Sequence, residues 1–277
     1  MSSISVLMST YHREHPDYLD AAMDSIWTQQ VRRPEQIVLV EDGPLTDALY
    51  AVIRKWKDTL SDTLTIVEKT QNGGLAAALN DGIAVCQGDL IARMDSDDIA
   101  MPERFLLQER YMKQHPEVDV LGGALREFND EGTLSNVRRY PATMTDVLHT
   151  MYRVSPVGHP SSMFRRSVFD EGHRYSSRYH ICEDVTMWYD LACAGKVINN
   201  IPDVILNFRR NDSMMNRRSH EKAWSEFLAY NDGIYRLWGL FTYKYAYSLA
   251  RMIFRLMPAP IIKMLYNGRL RKIIAKE

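Results

Sequence analysis

Asp89-Leu90-Ile91-Ala92-Arg93-Met94-Asp95-Ser96-Asp97-Asp98-Ile99-Ala100-Met101-Pro102 is the stretch whose reading decides the fold. Leu90 to Met94 is a short apolar run and predicts a buried strand. It ends in three carboxylates within four residues, and Pro102 stands where a following helix would begin, since its fixed φ suits a first turn. Carboxylates this dense repel one another unless water screens them or a cation sits among them. One reading is a solvated acidic turn that caps the next helix. The other is a hard divalent ion, Mn2+ or Mg2+, held by one or two carboxylates and completed by water and substrate phosphate.

Upstream, strands and helices alternate. Ile4 to Ser9, Gln36 to Glu41 and Leu64 to Glu68 predict strands, while Pro16 to Gln30, Leu45 to Leu60 and Leu75 to Val85 have helical spacing. This order implies right-handed crossovers and an α/β fold whose central sheet is mostly parallel and flanked by helices. Ligands of such sheets bind outside the carboxyl ends of the strands. Thr10-Tyr11-His12-Arg13, Glu41-Asp42 and Asp95-Ser96-Asp97-Asp98 all follow strand ends, so one crevice is expected to collect them. Carboxylates converging there favour the cation over the solvated turn.

No GxGxxG follows the first strand and no GxxxxGK[ST] occurs, which excludes a dinucleotide fingerprint and a P-loop. Asn72-Gly73-Gly74 opens the third helix and reads either as an anion site at a helix N-terminus or as a turn needing positive φ. Further on, Val118 to Leu121 and Ala124 to Phe128 predict strand segments, and Met144 to Tyr152 predicts a short helix. His159, before Pro160, is disfavoured in helix. It is a substrate-facing candidate beside the commoner alternative of a packed loop histidine. Glu183 and Asp184 open a helix continued by Val185, Trp188 and Leu191; they complement its dipole, or one of them faces the crevice as a general base. Ile201 to Phe208 predicts a last strand, ending in Arg209-Arg210-Asn211, and basic groups there suit a diphosphate.

Composition bounds the class. The chain has 277 residues, 45% hydrophobic and 25% charged, enough for one sizeable core. A net charge of −1 excludes a globally basic nucleic-acid binder. Three cysteines without CxxC spacing argue against a disulfide framework or zinc site and suit a reducing cytoplasm. Neither a signal peptide nor a spanning helix is expected, because no basic n-region opens the chain and no window reaches the required apolar length. From Gly233 to Glu277 there are nine Lys/Arg and one acid, interleaved with Trp238, Phe241, Tyr243, Tyr245, Tyr247 and Phe254, and divided by Pro258 and Pro260. Basic, aromatic-rich helices of this kind predict contact with an anionic membrane, the alternative being an appendage whose basic face is solvated.

Together the motifs resemble the family 2 glycosyltransferases, inverting enzymes of the A-type nucleotide-sugar fold. The residues that carry the resemblance lie within about the first 215. They are Ser9-Thr10-Tyr11-His12-Arg13, Val40-Glu41-Asp42-Gly43, Asn72-Gly73-Gly74-Leu75 with Ala78-Leu79-Asn80, Met94-Asp95-Ser96-Asp97-Asp98, Pro102-Glu103-Arg104-Phe105 and Glu183-Asp184. The stretch His159-Pro160-Ser161-Ser162-Met163-Phe164-Arg165 is similar to the subgroup that builds bacterial O-antigens, capsules and exopolysaccharides.

The resemblance implies a catalytic unit over 1–215, and the charge and aromatic content of the remainder read as a basic helical segment over 216–277. It further implies a nucleotide pocket lined by Thr10, Tyr11 and Arg13, with Glu41 and Asp42 on the base or ribose. Asn72, Gly73, Ser96, Glu183, His159 and Arg209 are further substrate contacts. Asp95 and Asp97 form the Asp-x-Asp pair, Asp97 being the expected direct ligand of Mn2+ or Mg2+, and Asp184 matches the catalytic base. The implied donor is a nucleotide sugar, most simply UDP-linked, and the basic tail suggests an acceptor in the membrane, a lipid diphosphate-linked sugar at the cytoplasmic face of the bacterial inner membrane. Two departures stand out. The second-strand pair is Glu41-Asp42 rather than Asp-Asp, and Phe208-Arg209-Arg210-Asn211 replaces Tyr-Arg-x-His, so Arg209 or Arg210 is read as electrostatic compensation for the missing histidine. The rival classes are a sugar nucleotidyltransferase and a non-catalytic membrane-bound binding module.

Overall fold

Runs of β-branched and apolar residues alternating with capped amphipathic segments give the first half of the chain its form. The structure, a computed structural model, describes residues 2–129, 131–179, 181–210 and 220–257. β1 (Ile4–Thr10), β2 (Gln36–Glu41), β3 (Leu64–Glu68) and β4 (Leu90–Asp95) are joined by α1 (Pro16–Trp27), α2 (Asp47–Leu60) and α3 (Leu75–Ile83). Pro16 sits at the start of α1, and the Thr46 side chain caps α2 by accepting from Leu49 N. The four strands pair in parallel in the order β3-β2-β1-β4, with Ser9 opposite Asp95 and Thr10 opposite Glu41. The parallel reading therefore holds for this half.

The second half is mixed. β5 (Ile99–Ala100), α4 (Arg104–Gln114), β6 (Val120–Phe128), β7 (Leu134–Arg138), α5 (Met144–Thr150), β8 (Met163–Arg165), α6 (Arg166–Asp170), α7 (Glu183–Cys193) and β9 (Ile198–Arg209) follow. The sheet continues β4-β8-β6-β9-β5, with β4·β8, β8·β6 and β9·β5 antiparallel, β6·β9 parallel and β7 paired on β6.

Three local expectations change. β5 intervenes after the acidic run because Ile99 and Ala100 pair with Asn207 and Leu206 of β9, so α4 starts two residues beyond Pro102, at Arg104. The two expected segments near 120 are one strand, β6. Its Gly122 and Gly123 lie so close to β9 that a Cβ would sit 2.1 Å from Asn200 Oδ1 and 2.6 Å from Ile205 Cδ1. His159 opens a single 3-10 turn, His159–Ser161, rather than avoiding helix. One turn suffices there, because Pro160 lies where its missing N–H has no partner to lose.

Strand alternation sends Ile4, Val6, Met8, Ala92 and Met94 to one face, under α1, α2 and α4, and Leu7 and Ile91 to the other. That second face is covered by α3, α7 and α8 (His220–Trp238), which contribute Leu79, Trp188, Tyr230 and Ile234. Gly233 on α8 is required for this docking: a Cβ there would lie 2.2 Å from the Tyr189 ring. α9 (Tyr245–Leu256) packs on α8. No helix among the described residues is long and apolar enough to cross a membrane. Asn211 and the two tail prolines, Pro258 and Pro260, lie outside the described residues.

Candidate active site

The C-terminal ends of β1, β2 and β4, the start of α7 and the end of β9 surround one cavity of about 740 Å³, within the size range of small-ligand sites. Thr10, Tyr11, Arg13, Asp42, Asn72, Asp95, Ser96, Asp97, His159, Glu183, Asp184 and Arg209 all line it. Glu41 and Gly73 do not. Glu41 is buried beside Glu68, and burial first, then that like charge, raises its pKa. Pairing Glu41 with Asp42 as one donor-facing unit is thus corrected, because adjacent residues of a strand end turn to opposite sides.

Gly73 serves the site indirectly. Its N–H donates to Asp42 Oδ1 (2.8 Å), Gly74 N–H donates to Oδ2 (3.0 Å), and Asn72 Nδ2 donates to Asp42 O (3.0 Å). The anion at this helix N-terminus is the protein's own Asp42 carboxylate. Of the two readings of the glycine turn, positive φ applies to Gly74 (82°), and the nearby Gly43 (87°) lies so close to the turn that a Cβ would meet Asn72 N at 2.6 Å. Thr10 Oγ1, buried at the cavity wall, has no hydrogen-bond partner.

The acidic run after β4 is held by three hydrogen bonds to two partners, Glu14 and Arg209. Ser96 Oγ donates to Glu14 Oε2 (2.6 Å), Arg209 N–H donates to Asp98 Oδ1 (2.7 Å) and Arg209 Nε donates to the Asp97 carbonyl (2.8 Å). The Arg209 guanidinium lies 3.7 Å from the Tyr18 ring centroid and 4.5 Å from that of Phe128, which fixes its plane. Carboxylate oxygens of Asp95, Asp97 and Asp98 lie within 4.8 Å of one another. Burial, then the charges of Asp95 and Glu14, pushes Asp97 up to about 7, and Asp98, fully buried, is raised well above the carboxylate range by burial, Asp95 and Asp97. Asp98 Oδ2 has no partner. Negative charge is thus crowded beyond what the local donors satisfy, and a hard, oxygen-only donor set of this kind fits Mg2+ or Mn2+.

Asp184 and Glu183 occupy the first turn of α7. Burial, then Glu183, pushes Asp184 up to about 6, while its own α7 N-terminus and Arg93 partly offset the rise. A carboxylate tuned there takes protons near neutral pH. His159 is held neutral, its pKa well below the usual range through burial and the Arg93 charge, and its Nε2 is 2.9 Å from the Tyr175 hydroxyl. It is therefore both a packed histidine and a cavity-lining one. Arg210 pairs with Glu127 (3.0 Å) and does not line the cavity, so any compensation for the absent histidine falls to Arg209.

Sequence reasoning missed Arg93, Glu14 and Tyr175, and it quoted Asn80 within a motif without a role. Arg93 is 2% exposed, lines the cavity on the same sheet face as Asp95, and pairs with that carboxylate. A lone charge inside the apolar run Leu90 to Met94 was the available signal. Asn80 holds the Tyr175 backbone at two points, donating to its carbonyl (2.8 Å) and accepting from its N–H (2.9 Å) across 95 residues. Nothing local in sequence announces that pairing.

Comparison with known proteins agrees with this geometry. The family model described as Glycosyl transferase family 2 matches residues 5–172, more than half of the chain. The chain belongs to this glycosyltransferase family. It is 34% identical over 268 residues to the amylovoran biosynthesis glycosyltransferase AmsE of Erwinia amylovora, covering 95% of this chain and 97% of that protein. It is 29% identical over 283 residues to the UDP-Gal:alpha-D-GlcNAc-diphosphoundecaprenol beta-1,3-galactosyltransferase of Escherichia coli, covering 98% and 97%. Among solved structures, S. aureus TarS in complex with UDP-GlcNAc superposes with a TM-score of 0.65 at 19% identity, over 91% of this chain and 72% of that one. The mannosyltransferase PcManGT from Pyrobaculum calidifontis, in complex with GDP-Man and Mn2+, gives 0.63 at 17%, over 98% and 81%. These two likenesses establish the A-type glycosyltransferase fold. The glycosyltransferase is an enzyme of the transferase class, which sets aside both the nucleotidyltransferase and the non-catalytic module.

Proposed function

We propose that this glycosyltransferase moves a hexose from a nucleotide sugar, UDP-linked in the simplest case, to a lipid diphosphate-linked saccharide in bacterial surface polysaccharide synthesis, with inversion at the anomeric carbon. The observation that carries the proposal is the meeting of Asp42, the Asp95–Asp97 loop and Asp184 in one cavity. The named activities of the Erwinia and Escherichia relatives support the pathway and the acceptor class. Residues 1–215 are assigned as the catalytic unit and 216–277 as the segment that holds the enzyme at the cytoplasmic face of the inner membrane.

In this reading Asp97, with Asp95, would hold Mn2+ or Mg2+, which when bound supplies Lewis-acid stabilisation of charge on the leaving diphosphate. Asp42, pinned by Gly73 and Gly74, and the free Thr10 hydroxyl with Tyr11 and Arg13 seat the nucleoside. Arg209 fixes the loop that bears Asp97. The acceptor hydroxyl attacks the anomeric carbon, the bond from that carbon to the diphosphate oxygen breaks, and Asp184 takes the hydroxyl proton. His159, neutral and held by Tyr175, serves as a hydrogen-bonding wall rather than a charged group.

A thermal-shift panel of UDP-, GDP- and dTDP-sugars with and without Mn2+ tests the proposal, since a ligand that binds only the folded state raises the melting temperature by mass action. A rise with at least one sugar nucleotide, lost when the metal is chelated, is expected. No shift with any of them would remove the donor assignment.

The pH dependence carries a sign. Asp184 works as a base only when ionised, so with metal and donor saturating, which holds Asp97 in its ionised form, kcat is expected to fall by about tenfold per pH unit below an acid limb near pH 6 and to level off above it. For stability the sign reverses: the folded-state pKa is raised, so this group's contribution is complete below the ordinary aspartate range and is lost as pH rises through about 6. A profile with no acid limb anywhere from about pH 4 to about pH 7 would refute the base assignment.

A further inference from the structure

α9 is inside out. Its inner side, against α8, carries the helix's polar groups beside Tyr245 and Met252: Ser248 Oγ donates to Asn231 Oδ1 (2.7 Å), and Arg251 and Arg255 both pair with the buried Glu226, Arg251 at 3.1 Å. Arg251 also lies 4.5 Å from the Tyr230 ring centroid. The outer face is apolar. Ala246, Leu249, Ala250, Ile253 and Phe254 recur at i, i+3, i+4, i+7 and i+8, and all five are exposed, Leu249 at 46% and Ile253 at 47%. Leu240, Phe241 (96% exposed) and Tyr243, in the loop that leads into α9, are exposed as well. A soluble helix turns its apolar stripe to the core; this one turns it away.

The sequence placed a basic face against an anionic surface. The structure instead spends the cations of this helix on Glu226, and Lys244 on the rings of Tyr152, Trp238 and Tyr243 (4.1, 4.8 and 4.8 Å). What faces outward is an apolar stripe with aromatic flanks.

We propose that α9 lies in the plane of an anionic lipid bilayer, with the Leu249–Ile253–Phe254 stripe and Phe241 inserted among the acyl chains and its polar side bonded to α8. Charge complementarity selects lipid as the occupant. Further along the sequence come Lys263, Arg269, Arg271, Lys272 and Lys276 against the single acid Glu277, a composition that suits attraction to anionic headgroups. Aromatic residues at the margins of the stripe match the amphipathic preference of the headgroup zone. The inference rests on the lipid-linked acceptor reading and adds the mode of contact: insertion fixes how the catalytic unit stands on the membrane, because α9 is tied to α8 and α8 to α7, which begins with Asp184.

The test uses the full chain with vesicles of phosphatidylethanolamine and phosphatidylglycerol, sedimented at about 0.1 M and about 1 M NaCl, between which the Debye length shrinks from about 10 Å to about 3 Å. The protein is expected to pellet in both. In the Leu249→Asp/Ile253→Asp variant, partitioning is expected to fall by about tenfold or more for each side chain removed from lipid. Both residues are about half exposed and lie on the opposite side of α9 from Ser248 and Arg251, so the variant should melt close to the parent and keep its sugar-nucleotide shift. As a second measurement, Phe254→Trp should gain fluorescence quenching by brominated lipid beyond that of the parent's own tryptophans. Unchanged pelleting of the double variant, complete release of the parent at high salt, or no added quenching would overturn the proposal. So would conversion of a dimer to a monomer without any change in vesicle binding, which would make a second copy the occupant. Absence of any sugar-nucleotide shift in the parent would instead sink the donor reading, whatever the vesicles show.

Discussion

Asp184→Asn is expected to lower glycosyl transfer by 10²–10⁴-fold, the usual contribution of a positioned general base, while donor affinity stays within about twofold. The asparagine amide is nearly isosteric and can still accept from Val185 N–H, as Asp184 Oδ1 does at 2.7 Å, so the first turn of α7 should hold. What the substitution removes is the only function an amide cannot supply, acceptance of a proton. The acid limb near pH 6 should vanish with it. Single-turnover transfer from a radiolabelled sugar nucleotide, compared with the thermal shift given by the same donor, checks both halves. Retention of near-normal turnover would move the base elsewhere, and Glu183 would be the next residue to replace.

The second large effect is expected at Asp97→Ala. Here donor binding itself should fail in its metal-dependent part: the melting-temperature rise given by nucleotide sugar with Mn2+ should disappear, and transfer should fall below detection. Removing one carboxylate from three whose oxygens lie within 4.8 Å also relieves repulsion, so the ligand-free variant is expected to melt no lower than the parent. That pairing of lost binding with preserved fold separates a ligand role from a structural one. By contrast, Asp98 is fully buried and accepts from the Arg209 backbone, so its replacement should destabilise the fold instead. A variant at Asp97 that kept its metal-dependent shift would remove this residue from the cation site. For the membrane segment, truncation is best made after Trp238, because cutting at Gly233 would strip Ile234 and the Tyr189 contact from the core.

Much of the site was legible because parallel strands impose it. Once Ile4 to Ser9, Gln36 to Glu41 and Leu90 to Met94 are strands of one sheet, their following residues must share an edge, and Thr10, Asp42 and Asp97 do line one cavity. The residues left Glu183 and Asp184 as either helix-dipole partners or a crevice base, and only the resemblance singled out Asp184, since no local pattern says where α7 points. The failures share a cause. Glu41 is as acidic as Asp42 and adjacent to it, yet pleating turns it away from the cavity. Gly73 resembles a phosphate loop, yet its N–H is already taken by Asp42. β5 is two residues long and exists because β9, more than a hundred residues later, offers Ile99 and Ala100 partners.

By itself the sequence determined the alternation of elements, the parallel half of the sheet and the family, because periodicity, caps and short motifs are local properties. Only the tertiary structure decided which acidic residues meet, that Arg93 and Arg209 brace the carboxylate loop, and which side of α9 faces out. Those outcomes depend on pairings between distant residues, such as Arg251 and Arg255 with Glu226, and the free energy of such contacts is written in no single stretch of the chain.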